Sequence, residues 1–139
     1  MNIYQIIRRS SNLAAKKYYV GQEASITRKI RKEDVDNFAL LSGDSNPIHS
    51  TITSQAAVVH GALLNSIVSG VIGTRLPGFG AVVVQQTLHF PNKCYVDETV
   101  KVTIKLVENR KIMKVEFSCS VTDSDKVVLF GTAKLVMNK

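Results

Sequence analysis

The chain has no tryptophan, only two cysteines and three prolines among 139 residues, and 6% aromatic content. Each shortage removes a class of function. With no Trp and so few aromatics, there is little from which to build a base-stacking nucleic-acid surface. The two cysteines, Cys94 and Cys119, are too few for a disulfide framework. They point to reduced thiols in an intracellular compartment. Neither forms a metal-ligand spacing with the three histidines. No apolar run reaches the roughly 18 residues of a membrane-spanning helix. The longest, around Ala62 to Ile72, is broken by Asn65, Ser66, Ser69 and Gly70. There is no internal repeat and no low-complexity linker.

What is present suits one globular domain. Hydrophobic residues make up 45% and charged residues 21%, a balance that buries a core without staples. The net charge of +7 is unevenly spread. Residues 1–22 hold Arg8, Arg9, Lys16 and Lys17, with no acid before Glu23. That basic, hydroxylated, acid-free composition is the composition of a mitochondrial transit peptide, the plain alternative being a disordered basic tail. The expectation is therefore a targeting segment or tail over 1–22, a single domain over 23–139, and residence in the mitochondrial matrix.

Two helices are expected before a run of strands. Glu33 to Leu41 begins with acids, which suits the helix dipole, and ends at Gly43. Val35, Phe38 and Leu41 fall on one face of it. The second helix runs from about Gly61 to Arg75, with Leu64, Ile67, Val68, Val71 and Ile72 as its buried face. Its small residues, Ala62, Ser66, Ser69, Gly70 and Gly73, imply close approach by other backbone, most simply a wrapped sheet. Pro77-Gly78 closes it. Strands follow over 81–90, over 100–107 with Val100, Val102, Ile104 and Leu106 on one face, from Met113 to Cys119, and over 127–137. The turns are Asn109-Arg110-Lys111 and Asp123-Ser124-Asp125-Lys126. The class is α+β, long antiparallel strands with one apolar helix.

The most informative stretch is Ser42-Gly43-Asp44-Ser45-Asn46-Pro47-Ile48-His49. It sets a carboxylate and an imidazole on one Pro-stiffened loop. Pro47 restricts its own φ and biases Asn46 toward extended geometry, and Asn46 is placed to bond backbone. A second histidine opens the apolar helix in Val59-His60-Gly61. His60 is read as a structural residue bonding backbone, and His89 as a satisfied strand residue. Acid, base and helix N-terminus together are the parts of a proton-transfer site for a carbonyl compound.

Read as one pattern, these residues resemble the MaoC-like (R)-specific enoyl-thioester hydratases, in particular the mitochondrial 3-hydroxyacyl-thioester dehydratase type 2 proteins. The resemblance rests on Phe38, on Leu41 through His49, on Val59-His60-Gly61, on Leu76-Pro77-Gly78-Phe79-Gly80, on Phe90-Pro91 and on Tyr95-Val96. It covers about residues 30–137. It implies a hot dog fold, with a sheet wrapped around a central helix, and a homodimer joined sheet edge to sheet edge. It implies Asp44 and His49 as the catalytic pair, Gly61 as the backbone donor to the thioester oxygen, and Ser69 near the pair. The Ser50–Val59 connection is shorter than in relatives, where it helps cover the acyl pocket. Asp97-Glu98 stands where relatives have Gly-Asp.

The implied reaction is reversible dehydration of (R)-3-hydroxyacyl thioesters to trans-2-enoyl thioesters in mitochondrial fatty acid synthesis. The acyl group would be carried by CoA or acyl carrier protein. Charge develops on the thioester oxygen, and the unsatisfied first N–H groups of the second helix can stabilise it. The chemistry requires no metal and no organic cofactor. Two other readings of the fold are a thioesterase and a non-catalytic domain that binds acyl chains or a partner.

Overall fold

The computed structural model describes residues 17–50 and 56–138. Most of the expected targeting segment, residues 1–16, lies outside them, as do residues 51–55 of the short connection. The elements are β1 (Glu23–Lys29), α1 (Lys32–Ser42), a 3₁₀ turn (Pro47–His49), α2 (Gly61–Thr74), β2 (Ala81–His89), β3 (Thr99–Glu108), β4 (Met113–Val121) and β5 (Val127–Met137). The strands form one antiparallel sheet in the order β1-β3-β4-β5-β2.

The alternation in β3 and β4 sets the core. Val100, Val102, Ile104 and Leu106 point inward with no exposed surface, and Val102 pairs with Cys119 and Ile104 with Phe117. Lys101 and Lys105 take the outer face. The period of two means that a one-residue slip would bury those lysines, so register is tightly specified. Against the inner face lies α2, which buries Leu63, Leu64, Ile67, Val68, Val71 and Ile72. Each such side chain contributes about 1.5–3 kcal/mol of transfer free energy.

Two expectations fail here. The small residues of α2 do not face the sheet: Ala62, Ser66, Ser69 and Gly70 are exposed, and a side chain added at Gly70 or Gly73 would meet nothing within 4 Å. The sheet packs against the bulky stripe because apolar burial is worth more than close backbone approach. In α1, Val35 is buried and Phe38 packs on the core, but Leu41 is 85% exposed. Gly43 ends α1 at φ 77 with its N–H on Ala39 O, as a left-handed cap requires.

One strand is absent from the sequence reading. β1 pairs with β3 in register Ile26↔Val102, although only Ala24 and Ile26 pack toward the core. The residues before it are tied down as well. Tyr18 Oη donates to Pro77 O at 2.9 Å, and Leu106 N–H donates to Gln22 O at 2.9 Å.

Both thiols are free and buried. Burial pushes Cys94 up to about 11, with the Glu98 charge adding to it, and burial pushes Cys119 up to about 12, with Cys94 adding. A raised thiol pKa favours the neutral form in the fold. This contribution is fully present below the ordinary value of 9.0 and is lost as pH climbs through 11 to 12. Native protein at about pH 8 is expected to react with Ellman's reagent at least roughly 100-fold slower than urea-unfolded protein. Fast labelling of the native chain would contradict this burial.

Candidate active site

The loop between α1 and α2 is shaped by its own short polar side chains. Ser42 Oγ donates to Phe38 O at 2.7 Å and accepts the Asp44 N–H at 3.1 Å. Asp44 Oδ1 accepts the Asn46 N–H at 3.2 Å, and Asn46 Oδ1 accepts the Ile48 N–H at 3.3 Å. Asn46 therefore caps the 3₁₀ turn that begins at Pro47. With one carboxylate oxygen engaged, Asp44 presents Oδ2 to His49, 3.5 Å from Nε2. The His49 side chain is 11% exposed and that of Asp44 49%.

The hydrogen bonds set the state of His49. Its Nδ1 lies 2.6 Å from Val58 O, a carbonyl that can only accept, so Nδ1 carries the proton. In the neutral ring Nε2 is then the lone-pair nitrogen, and it faces Asp44. The gap of 3.5 Å is too long for a good hydrogen bond and leaves both atoms free for a shared third group.

His60 lies beneath this pair and is 3% exposed. Its ring stacks on His49 with centroids 3.5 Å apart and contacts Phe38 at 4.9 Å. His60 Nε2 lies 3.2 Å from Asp44 O, so that nitrogen donates, and Nδ1 is buried with no partner among the described residues. It bonds backbone, as expected, and the backbone it holds is that of the loop carrying Asp44 and His49. Asp44, His49 and His60 bring donor atoms within 4.8 Å of one another, a grouping their spacing in the chain did not show. The stacked rings lie only 22° from parallel.

The first turn of α2 closes the other side. Leu63 and Leu64 N–H groups both reach His60 O, at 3.0 and 3.2 Å. The N–H groups of Gly61 and Ala62 have no acceptor among the described residues. A side chain at Gly61 would lie 2.6 Å from Cε1 of Phe90, so only glycine lets that ring lie against the helix start. Residues 57–59 pair with the 94–96 loop through Val59 N–Cys94 O (2.8 Å) and Val96 N–Ala57 O (3.0 Å). Glu98 holds that loop, accepting from Tyr95 N at 2.7 Å and from Lys126 Nζ at 3.1 Å. His89 is exposed and stacks on Phe130.

His49 and Gly61 line one cleft of about 760 Å³, whose other walls include Leu64, Leu88, Phe90 and Val128. Ser69 does not line it. Two turns beyond Gly61, about 12 Å along the axis and 80° around it, Ser69 is exposed.

The chain matches the model of the MaoC like domain over residues 14–127. It is 36% identical over 126 residues to the (R)-specific enoyl-CoA hydratase of Rhodospirillum rubrum, covering 84% of this chain and 86% of that one. It is 28% identical over 144 residues to the mitochondrial 3-hydroxyacyl-[acyl-carrier-protein] dehydratase of Arabidopsis thaliana, covering 95% and 86%. The solved (R)-hydratase from A. caviae involved in PHA biosynthesis superposes with a TM-score of 0.81 at 28% identity, covering 88% and 99%. The five-stranded sheet with its helix is thus a hot dog fold.

Replacing His60 with alanine removes the stack and frees Asp44 O. The expected loss is about 1–3 kcal/mol in urea unfolding. Amide exchange at Ile48 and His49 should also quicken. Unchanged stability and exchange would remove His60 from its role as the loop's anchor.

Proposed function

We propose, on the premise that the chain belongs to the MaoC-like domain family, that Asp44 and His49 interconvert (R)-3-hydroxyacyl and trans-2-enoyl thioesters. The observation that carries this is how the His49 ring is held. Its Nδ1–H is committed to Val58 O, which leaves Nε2 as a base facing Asp44 Oδ2.

A water held between these two atoms would lose a proton to the pair as its oxygen bonds to C3. The C2–C3 π electrons would move toward the thioester oxygen. That oxygen would rest against the open N–H groups of Gly61 and Ala62, where the helix dipole adds to the hydrogen bonds. A preorganised donor of this kind contributes about 3 kcal/mol. The pair would then return a proton to C2. Dehydration is the same path reversed.

The setting proposed is mitochondrial fatty acid synthesis. It is supported by the acid-free basic composition before Glu23 and by likeness to the plant mitochondrial dehydratase. The carrier is CoA or acyl carrier protein, and exposed Lys93 on the cleft offers a cation to its phosphates. The assembly proposed is a homodimer through β2. That edge strand leaves Val82, Val83, Val84 and Leu88 partly exposed, more apolar surface than an unpaired edge tolerates. Sedimentation is expected to give twice the chain mass, and a monomer at micromolar concentration would refute the dimer.

The chemistry is tested with a trans-2-enoyl-CoA, following loss of enoyl absorbance. Asp44→Asn and His49→Ala are each expected to lower kcat by roughly 100-fold to 10,000-fold. No turnover by the wild type, or undiminished turnover by both variants, defeats the assignment. Release of free CoA in step with the absorbance change would mark a thioesterase instead.

A further inference from the structure

The active-site cleft ends abruptly. Along α2 its lining consists of Gly61, Ala62, Leu64 and Asn65, and no residue of the helix beyond Asn65 contributes to it. At that point the helix is joined to the sheet. Asn65 Nδ2 donates to Gln86 Oε1 at 3.2 Å, and Gln86 Nε2 donates to Asn65 Oδ1 at 2.9 Å. Gln86 stands on β2 opposite Ala133, whose side chain is buried in the core, so its own side chain projects to the same inner face. The two amides satisfy each other and span the gap between α2 and the edge strand.

The two walls of the cleft run in opposite chain directions. Phe90 lies against Gly61 at one end, and at the other the lining residue Asn65 is bonded to Gln86, which stands behind it and does not itself line the cleft. Exposed Lys93 lies beyond Phe90 in the chain and lines the same cleft. Gly61 to Asn65 is one turn, about 6 Å, roughly the reach of five extended carbon–carbon bonds. The remaining walls near it are mostly apolar: Val59, Ala62, Leu64 and Leu88.

We propose that the Asn65–Gln86 amide pair is a specificity determinant that stops the cleft and restricts the enzyme to short acyl chains. This rests on the thioester reading above and adds the substrate class. With the thioester oxygen at Gly61 and the carrier at the Lys93 end, the acyl tail points toward Asn65. A tail of about four carbons fits before the pair, whereas a longer one must separate the mutually bonded amides and leave them against methylenes. The pair also explains why Ser69, one turn past Asn65, is cut off from the cleft.

The test compares but-2-enoyl-CoA with oct-2-enoyl-CoA as substrates of the full chain. Binding of butanoyl-CoA and octanoyl-CoA is measured in parallel by calorimetry. The wild type is expected to favour the short chain by about tenfold or more in both assays. Asn65→Ala should raise the long-to-short ratio by about tenfold in both. Gln86→Ala, which opens the same gap from the strand, should do likewise and guards against a folding defect in the first variant. A wild type indifferent to chain length, or ratios unmoved in both variants, overturns the proposal. Discrimination in binding without any turnover supports the pair as a chain-length stop while defeating the hydratase reading.

Discussion

The stack of His49 on His60, 3.5 Å between centroids, is the contact through which the site is fixed to the fold. His60 is the residue before α2, and α2 is held by six buried side chains against the sheet. Its ring nitrogen also holds the Asp44 carbonyl. A polar loop with exposed residues on both sides thus takes its position from the most buried helix in the molecule. Local bonds shape the loop, and this link seats it on the helix. Preorganisation of this kind lets modest groups act as strong catalysts, because no reorientation is needed during the reaction.

The same helix serves two purposes with different faces. Its bulky stripe supplies core energy, while its first turn supplies two N–H groups with no acceptor among the described residues and its fourth residue after Gly61 supplies an amide to the cleft. These demands do not compete, since the 3.6-residue period separates them around the axis. The glycine at the helix start meets a steric demand as well, because Phe90 occupies the space of a side chain there. Packing therefore asks for glycine at the position whose N–H has no acceptor among the described residues.

Several features could be read in the chain before folding. Strict alternation in β3 and β4 announced one buried face, and the apolar spacing of α2 announced its core stripe. Asp44, Asn46, Pro47 and His49 stood in a block whose turn chemistry is local, so their arrangement followed from short-range bonds. β1 was hidden because an edge strand with only Ala24 and Ile26 turned inward carries almost no apolar signal. Leu41 misled because periodicity shows which residues share a face, and not how far the neighbouring surface extends. The small residues of α2 misled in the opposite sense, since smallness is equally compatible with an exposed face.

By itself the sequence determined the strand alternation, the helix limits at Gly43 and Gly61, and the polar loop that carries the acid and the base. These depend on interactions within a few residues, where side-chain type and spacing decide the outcome. Tertiary structure alone decided the tautomer of His49, through a carbonyl nine residues away, and the place of His60 beneath it. It also decided the meeting of Asn65 with Gln86 across 21 positions, which ends the cleft. Such contacts form only when α2 seats against the sheet, because that packing, and not chain proximity, sets the distance between the partners.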